Sequence, residues 1–190
     1  IHILLAYANH HGITLYQMDI KSAFLNGEIE EEFYVKQPPD FVNTNKPDHV
    51  YKLHKALYGL KQAPRAWYKC LTKFLIEKGF EIGKIDSTLF TKRVNGELFV
   101  CQIYVDDIIF GSTNPHFSEK FGRLMSEKFE MSMMSELKFF LGLQIKQTKE
   151  GTFVSQKNYT KDLFKKFNMQ ENKGMKTPMH TSGHLDLTKD

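Results

Sequence analysis

The turn pair Asn95-Gly96 is the feature that most restricts how this chain folds. It separates two strand-like segments, "STLFTKRV" and "ELFVCQIYV", and Asn-Gly in such a position is among the strongest short-range signals for a β-hairpin. A further strand-like segment, "IIFGS", follows after Asp106 and Asp107. The sequence therefore predicts neighbouring antiparallel strands, with two adjacent carboxylates where one strand gives way to the next.

Other segments show the apolar spacing of strands or helices. Strand character is seen in "GITLYQMD", in "EEFYVKQPPDF", and in "LKFFLGLQIKQTKEGTFVSQ", a second predicted hairpin that turns at Glu150-Gly151. Helical spacing predicts one helix at the start of the chain and three more over about Pro64 to Lys78, Pro115 to Phe129 and Tyr159 to Phe167. Helices that flank a largely antiparallel sheet give an α+β fold.

Composition excludes some classes of protein. Hydrophobic residues make up 41% of the chain and charged residues 25%, which excludes wholesale disorder. No apolar run approaches the roughly 18 residues of a membrane span, so we expect no membrane partner. Cys70 and Cys101 lie in apolar segments and are expected to be free, buried thiols, and the histidines lack the spacing of metal ligands.

The basic charge of the chain permits a polyanionic partner without establishing one. The formal net charge is +4, and a group of lysines lies near the C-terminus at Lys161, Lys165, Lys166, Lys173 and Lys176. Solvated helix faces explain part of this group. Because the chain opens without methionine, directly within a helical pattern, we expect a fragment of a larger cytosolic or nuclear protein.

The carboxylate pair Asp106-Asp107 allows two interpretations. One is a plain turn, because Asp is favoured in turns. The other is a metal site, since like charges this close need a counter-ion or a proton and Mg²⁺ prefers hard oxygen ligands. A third carboxylate would complete such a site, and Asp19 is the candidate because it ends the segment "ITLYQMD". Three carboxylates suit two ions roughly 3.5 to 4 Å apart, although Asp19 also suits a helix N-cap.

Four segments in order carry a resemblance to a known family. "QMDIKSAFLNG", "LYGLKQAPRAWY", "YVDDIIFGS" and "LKFFLGLQI" closely resemble the reverse transcriptase domain of copia-type long-terminal-repeat retrotransposon Pol polyproteins. The resemblance covers nearly the whole chain. It implies an RNA-directed DNA polymerase whose fold is a polymerase palm with partial fingers and the start of a thumb. Residues 1–190 would be a fragment of that domain, with the palm core at about 13–147 and the thumb beginning at about 148–190.

The resemblance implies a two-metal nucleotidyl transfer. Asp19 matches the first catalytic aspartate, and Asp106 and Asp107 match the catalytic pair. In the family these residues would hold two Mg²⁺ ions, with Mn²⁺ as an alternative. One ion lowers the pKa of the primer 3′-hydroxyl, and the other binds the nucleotide triphosphate and the leaving pyrophosphate.

Residues for the incoming nucleotide follow from the same resemblance. Ser22 and Ala23 match positions whose backbone N–H groups touch the triphosphate, and Phe24 matches the bulky residue that favours deoxynucleotides. Gln62 resembles the glutamine that lies beside nucleotide and template, and Arg65 would meet phosphate. Two alternatives stay open, since Phe24 also suits a core position and Arg65 also suits a solvated helix start.

A second group of matching residues would contact the primer and template. Phe140, Leu141 and Gly142 match the hairpin that grips the primer terminus, and Tyr104 and Val105 would support the primer end. Taken alone, "FFLGL" is more typical of a buried strand, and strand packing would also explain Tyr104 and Val105.

The resemblance also implies partners for the chain, and it shows where the chain differs from the family. Expected partners are an RNA or DNA template with its primer, a deoxynucleoside triphosphate, and the ribonuclease H and integrase regions of the polyprotein, in the cytoplasmic virus-like particle of the element or in the nucleus. Fingers residues that clamp the triphosphate precede this segment in the family, so we expect the isolated segment to polymerise poorly or not at all. Ser135 replaces a glycine that is usual in one turn.

Two functions from other classes remain open at this stage. A noncatalytic nucleic-acid-binding module would bind template without incorporating nucleotide. A nucleotide cyclase with a palm-like sheet would turn over free nucleotide without a primer. The segment "LYGLKQAPRAWY" and the hairpin at Phe140 to Gly142 argue against the cyclase, which has no primer to hold.

Overall fold

The computed structural model of the chain describes residues 1–172 and 174. Within this part of the chain the helices are α1 (His2–His10), α2 (Ala63–Glu77), α3 (Pro115–Lys128) and α4 (Lys157–Lys166). All four predicted helices are confirmed, and where both ends were predicted they agree within two residues. No helix in the described part is long and apolar enough to cross a membrane. Lys173, Lys176 and the end of the predicted thumb lie outside the described residues.

The strands form three antiparallel sheets, and the predicted α+β fold is confirmed. The strands are β1 (Leu15–Asp19), β2 (Tyr34–Lys36), β3 (Val50–Lys52), β4 (Glu81–Ile82), β5 (Leu89–Val94), β6 (Glu97–Tyr104), β7 (Asp107–Ser112), β8 (Ser135–Glu136), β9 (Phe139–Phe140), β10 (Leu143–Thr148) and β11 (Gly151–Ser155). The largest sheet has the order β4-β5-β6-β7-β1-β8, and the smaller sheets are β11-β10-β9 and β2-β3. The site elements β1, β6 and β7 are therefore neighbours.

The hairpin predicted at Asn95-Gly96 is confirmed. Val94 pairs with Glu97 across the turn, and Asn95 and Gly96 have φ angles of 52° and 84°. Positive φ at both central residues characterises the type I′ turn, whose twist matches that of the flanking strands. This hairpin sets the register of β5 and β6.

The second predicted hairpin is shifted by one residue. Thr148 pairs with Gly151, so the turn consists of Lys149 and Glu150 and not of Glu150-Gly151. The Thr148 hydroxyl donates to the Gly151 carbonyl at 2.8 Å and accepts from the Gly151 N–H at 3.2 Å. These side-chain bonds close the turn and explain the shift.

Ser135, where the resembling family usually has glycine, lies in an ordinary extended strand. It opens β8 and pairs with Gln17. Its φ is not among the positive values of the described residues. Since glycine is required only where φ is positive or the backbone approaches closely, serine fits this position without strain.

The core has two parts, one on each face of the largest sheet. The larger part packs α2 and α3 against the sheet and includes Trp67, Phe74, Phe110, Phe121 and Met125. The smaller part joins α1 and β10 to the other face. Side chains alternate along a strand, and in β7 Ile108 and Phe110 face the larger part while Ile109 faces the smaller. β7 is thus held from both faces, and Asp107 is its first residue.

Both cysteines are free thiols, as the sequence predicts. Cys101 is fully buried, whereas Cys70 is only partly buried. Burial raises the pKa of each thiol. Both groups therefore stay protonated and unreactive at neutral pH.

Candidate active site

The register of β1 and β7 brings Asp19 to the carboxylate pair. Asp19 lies directly opposite Asp107, and residues opposite each other in antiparallel strands have Cα atoms about 4.5 to 5.5 Å apart with side chains on the same face. The N–H of Ile20 donates to the carbonyl of Asp106 at 3.0 Å. Three acidic residues from distant parts of the sequence therefore meet at one end of the sheet.

The predicted turn at Asp106-Asp107 needs a correction. Tyr104 pairs with Asp107, so the two turn residues are Val105 and Asp106, and Asp107 already belongs to β7. The hydrogen-bonding register of β6 and β7 overrides the local preference of Asp for turns. The carboxylate pair therefore spans the boundary between turn and strand.

The three aspartates form a negative cluster whose charges repel one another. Burial raises the pKa of Asp107, and the charges of Asp106 and Asp19 raise it further. Burial also raises the pKa of Asp19, with the charge of Asp106 as the second cause. Among residues 1–172 and 174, the ion pairs join Lys21 to Glu130, Lys52 to Glu32 and Lys69 to Glu30. The described part of the chain thus gives this cluster no ion-pair partner.

The chemistry of this cluster fits a divalent cation. Three carboxylates are hard oxygen donors of the kind Mg²⁺ and Mn²⁺ prefer, and the uncompensated charge favours a counter-ion. Within the described residues, however, no three His, Cys, Asp or Glu side chains are already arranged to hold a metal ion. Like charges repel, which favours separated carboxylate side chains. The structure therefore provides the oxygen ligands for a metal ion but not an already formed metal site.

Ser132, which no sequence pattern indicates, fixes the backbone of Asp19. The Asp19 N–H donates to the Ser132 hydroxyl at 2.8 Å, and the Ser132 N–H donates to the Asp19 carbonyl at 2.8 Å. Asp19 ends β1, and the short 3-10 segment Ala23–Asn26 has Ser22 at its N-cap. The alternative in which Asp19 caps a helix is therefore wrong.

The turn before Asp107 has an unusual backbone and a buried partner. Val105 has a φ of 58°, a conformation that β-branched residues rarely adopt. Its carbonyl accepts a hydrogen bond from Nε1 of Trp67 at 2.7 Å. The apolar pattern of α2 placed Trp67 in the core, but no sequence signal indicated this bond.

The proposed primer residues lie together. Phe140 pairs with Leu143 across a two-residue turn in which Leu141 and Gly142 have φ angles of 47° and 79°. Leu141 is exposed, so the buried-strand interpretation fails for this turn, although Phe140 itself is buried. The Tyr104 ring meets the Phe140 ring edge-on with centroids 5.8 Å apart. Tyr104 thus connects the end of β6 to the Phe140 hairpin.

The proposed nucleotide residues fall into two groups. Ser22 has left-handed φ and ψ angles of 53° and 39°, Ala23 is buried, and the Phe24 ring lies 4.7 Å from that of Tyr58. Phe24 is partly buried against the larger part of the core. Both the core interpretation and the nucleotide-binding interpretation of this residue therefore stay open.

Gln62 and Arg65 form the second group, at the start of α2. Both line a cleft that also contains Glu28, Glu30 and Glu31. The charge of Arg65 helps to lower the pKa of Glu30, after a larger contribution from Lys69. In the described part of the chain, no hydrogen bond or ion pair joins Gln62 or Arg65 to the three aspartates. The described structure therefore shows no direct polar bond between this group and the carboxylates.

Comparison with known proteins identifies the family. The family model "Reverse transcriptase (RNA-dependent DNA polymerase)" matches residues 1–181. The chain belongs to this reverse transcriptase family. It is 37% identical over 187 residues to each of two proteins of Arabidopsis thaliana, the "Retrovirus-related Pol polyprotein" from transposon RE2 and that from transposon RE1. It is 33% identical over 192 residues to that from transposon TNT 1-94 of Nicotiana tabacum.

The chain spans a small part of the length of these relatives. The alignments cover 98% of the chain and 13% of the two Arabidopsis thaliana polyproteins, and 100% of the chain and 14% of the Nicotiana tabacum protein. The predicted resemblance to copia-type Pol polyproteins is confirmed. Reverse transcriptases generally use divalent metals and act on a primed nucleic acid template.

Gly27 lets the Ser22–Gly27 segment lie directly on α2. A Cβ atom at Gly27 would lie 2.7 Å from the backbone C of Ala66 and 2.7 Å from the backbone N of Trp67. The Gly27 carbonyl also accepts from the Ala56 N–H at 2.8 Å. We expect Gly27→Ala to lower the free energy of unfolding by about 1 to 3 kcal/mol, because neither backbone can give way easily. Urea denaturation measures this loss.

The control for this substitution is Gly174→Ala. Among the described residues, a Cβ at Gly174 would meet nothing within 4 Å, so we expect a change within about 0.5 kcal/mol. Equal stability of Gly27→Ala and the unsubstituted protein would show that the segment does not depend on close contact with α2.

Proposed function

We propose that this chain carries the catalytic carboxylates of an RNA-directed DNA polymerase within a retrotransposon Pol polyprotein. The reaction is transfer of a nucleotide from a deoxynucleoside triphosphate to the 3′-hydroxyl of a primer. The observation that carries the proposal is the meeting of Asp19, Asp106 and Asp107 at the end of β1 and β7, with charges that the described residues leave uncompensated.

The proposed division of the chain is a palm core at about 13–147 and the start of a thumb from about 148. A six-stranded antiparallel sheet with α2 and α3 on one face supports the palm assignment. The C-terminal helix α4 supports the thumb assignment, because its exposed lysines at Lys157, Lys161, Lys165 and Lys166 suit contact with phosphates.

The residues of this site would divide the work of the reaction. Asp19, Asp106 and Asp107 would hold two divalent ions, which supply charge for the attacking hydroxyl and for the leaving pyrophosphate. The backbone bonds of Asp19 to Ser132 and of Asp106 to Ile20 keep these carboxylates at one end of the sheet. Phosphoryl transfer of this kind depends mostly on positioning and charge, which the strand register supplies.

Phe24 would select deoxynucleotides over ribonucleotides. Its ring is supported by the core on one side and by Tyr58 on another, so it can act as a rigid wall beside the sugar. We expect Phe24→Ala to raise ribonucleotide incorporation relative to deoxynucleotide incorporation about 10- to 100-fold, the range for a pocket that loses apolar bulk. Steady-state kcat/KM values for both nucleotides measure the ratio.

Phe24→Tyr is the matched variant for this prediction. It keeps the bulk of the ring, so discrimination should stay close to that of the unsubstituted enzyme. Unchanged discrimination in Phe24→Ala would assign Phe24 to the core alone.

The proposed primer grip consists of the Phe140 hairpin and Tyr104. Leu141 and Tyr104 are each about half exposed, at 54% and 50%, and the contact between Tyr104 and Phe140 places them at the same end of the sheet as the carboxylates. Such a surface suits the sugar and base of a primer terminus. The proposed partners are a primed RNA or DNA template, a deoxynucleoside triphosphate, and the ribonuclease H and integrase regions, in a cytoplasmic particle or the nucleus.

Primer extension on an RNA template with Mg²⁺ tests this proposal. The enzyme should be the complete reverse transcriptase region of the polyprotein, compared with its Asp106→Asn variant and with the 190-residue chain alone. We expect extension by the first, none by the second, and little or none by the third. Template binding without incorporation in every form would indicate a noncatalytic binding module. Turnover of free nucleotide without primer would indicate a cyclase.

A further inference from the structure

We infer that Trp67 is a positioning residue, whose indole N–H holds the turn that carries the carboxylate pair. The inference has a structural part, that the bond from Trp67 to Val105 keeps this turn in its conformation. It also has a catalytic part, which rests on the proposed polymerase function: the held turn keeps the Asp106 and Asp107 carboxylates in position for the reaction. Trp67 contacts neither substrate nor ions in this role and acts through the backbone of Val105.

The turn at Val105-Asp106 contains the one β-branched residue with positive φ among the described residues. Asn95 and Leu141 also have positive φ, but each is followed in its two-residue turn by a glycine with positive φ, which costs no strain. Val105 reaches a φ of 58° with a β-branched side chain, and such strained residues persist when the surrounding structure fixes them. An isolated hairpin would relax this turn.

Trp67 is suited to fix the turn because it is itself packed tightly in the core. Its side chain is 1% exposed, and its ring meets the edge of Phe129 at a centroid distance of 5.2 Å. Indole offers one donor and no acceptor, and a buried donor requires a partner. The distance of 2.7 Å to the Val105 carbonyl lies at the short end of the range for N–H···O bonds.

Two successive carbonyls of the turn are held by different parts of the fold. The Val105 carbonyl is bound by Trp67 of α2, and the Asp106 carbonyl is bound by the N–H of Ile20, which follows Asp19. The two bonds together define where the Asp106 and Asp107 carboxylates lie relative to Asp19. Loss of the indole bond would leave the Val105 carbonyl without this partner, while the Ile20 bond and the Tyr104–Asp107 pair remain, and would widen the range of carboxylate positions.

The test separates this bond from the packing of the ring. Trp67→Phe keeps a buried aromatic side chain and removes the N–H. A residue with benzothiophene in place of indole at position 67 keeps the bicyclic shape and also lacks the donor, so it serves if Trp67→Phe folds poorly. Phe74→Leu is the matched control, because Phe74 also lies on α2 and contacts Phe129 at 5.4 Å without bonding to the turn.

Kinetics of the complete reverse transcriptase region give the first measurement. We expect both donor-free variants to lower kcat about 10- to 100-fold, the size of effect that a small misplacement of catalytic groups causes. KM for the nucleotide should change little, and half-maximal activity should require more Mg²⁺. Trp67→Phe removes buried volume and should lower the melting temperature, as Phe74→Leu does, whereas the benzothiophene variant keeps the bicyclic ring and should lower it less. Phe74→Leu should lower the melting temperature and leave kcat unchanged.

Hydrogen exchange gives a measurement that does not depend on catalysis. Trp67 is the only tryptophan of the 190 residues, so its indole N–H gives one NMR signal in this chain, which we expect to exchange slowly. In Trp67→Phe the turn amides that are hydrogen-bonded, those of Ile20 and Asp107, should exchange at least about tenfold faster, while those of the β10-β11 hairpin stay unchanged.

The outcomes distinguish the inference from the proposed function. Fast indole exchange in the unsubstituted chain, or unchanged turn amides in both donor-free variants, would overturn the structural part. Unchanged kcat in both donor-free variants, or a similar loss of kcat in Phe74→Leu at a comparable loss of stability, would overturn the catalytic part. If the unsubstituted enzyme extends no primer, the proposed function fails, and the exchange rates still decide whether Trp67 holds the turn.

Discussion

Asp107→Asn is expected to abolish nucleotide incorporation and, without divalent metal, to stabilise the fold. A metal ligand in a two-metal site contributes several kcal/mol to the transition state, so a loss of about 4 kcal/mol would slow the reaction about a thousandfold. The pKa of Asp107 is raised by burial and by the charges of Asp106 and Asp19. Its ionised form is therefore disfavoured in the folded protein, and asparagine removes that unfavourable charge.

The pH dependence of this stabilisation follows from the direction of the shift. A carboxyl whose pKa is higher in the folded state favours folding while it is protonated, at pH below its ordinary value of 3.8. That contribution is lost as the pH rises through the raised value in the folded state. The melting temperatures of Asp107→Asn and the unsubstituted protein should therefore differ little near pH 3 and differ most near pH 7.

Thermal unfolding with and without Mg²⁺ measures this effect. Mg²⁺ should raise the melting temperature of the unsubstituted protein and affect Asp107→Asn much less. Asp48→Asn is the control, because Asp48 is exposed in a loop and its substitution should change neither stability nor incorporation. A lower melting temperature for Asp107→Asn in the absence of metal would contradict the picture of three mutually repelling carboxylates.

Phe110→Ala is expected to cause the largest loss of stability among core substitutions near the site. Phe110 is fully buried in β7, and its ring lies 4.8 Å from that of Phe121, 6.0 Å from Tyr16 and 6.1 Å from Phe99. Truncation of such a residue leaves a cavity and costs about 3 to 5 kcal/mol. Since β7 also carries Asp107, the strand register at the site depends on this packing.

Chemical denaturation of Phe110→Ala and of the unsubstituted protein measures the loss in the free energy of unfolding. Phe153→Ala removes the same side chain from β11, where it is 66% exposed, and should change the free energy of unfolding by no more than about 0.5 kcal/mol. A loss below about 1 kcal/mol for Phe110→Ala would mean that the neighbouring rings collapse into the space, against the cost expected for a rigid core.

The parts of the fold that depend on local patterns were predictable from the sequence. The apolar face of α2, including Trp67 and Leu71, follows from helical spacing, and the Asn95-Gly96 turn follows from backbone preference. Both signals are contained within a few neighbouring residues. The helices and the first hairpin could therefore be placed without knowing the rest of the chain.

The parts that depend on distant contacts were not predictable in the same way. The turn at Val105-Asp106 is set by the pairing of β6 with β7 and by the bond from Trp67, and Ser132 reaches Asp19 from more than a hundred residues away. A lone serine or a buried tryptophan carries no pattern that reveals its partner. Sequence patterns therefore gave the strands but not the turn register or the bonds that fix it.

The candidate site also has some features that the sequence could predict and others that it could not. Asp19 could be selected because it ends a strand-like segment, and the structure places it opposite Asp107. The roles of Ser22, Ala23, Phe24, Gln62 and Arg65 stay predictions, because contact with a nucleotide depends on a molecule that the sequence does not contain. These roles were assigned from the family resemblance, and the substitutions at Phe24 test one of them.

Anomalous X-ray scattering from Mn²⁺ tests the central claim most directly. The sample would be a crystal of the complete reverse transcriptase region with a primed template and a deoxynucleoside triphosphate. The account predicts two Mn²⁺ ions roughly 3.5 to 4 Å apart, bound by the carboxylates of Asp19, Asp106 and Asp107. Two ions bound elsewhere, or a site in which the Asp19 carboxylate touches neither ion, would contradict it.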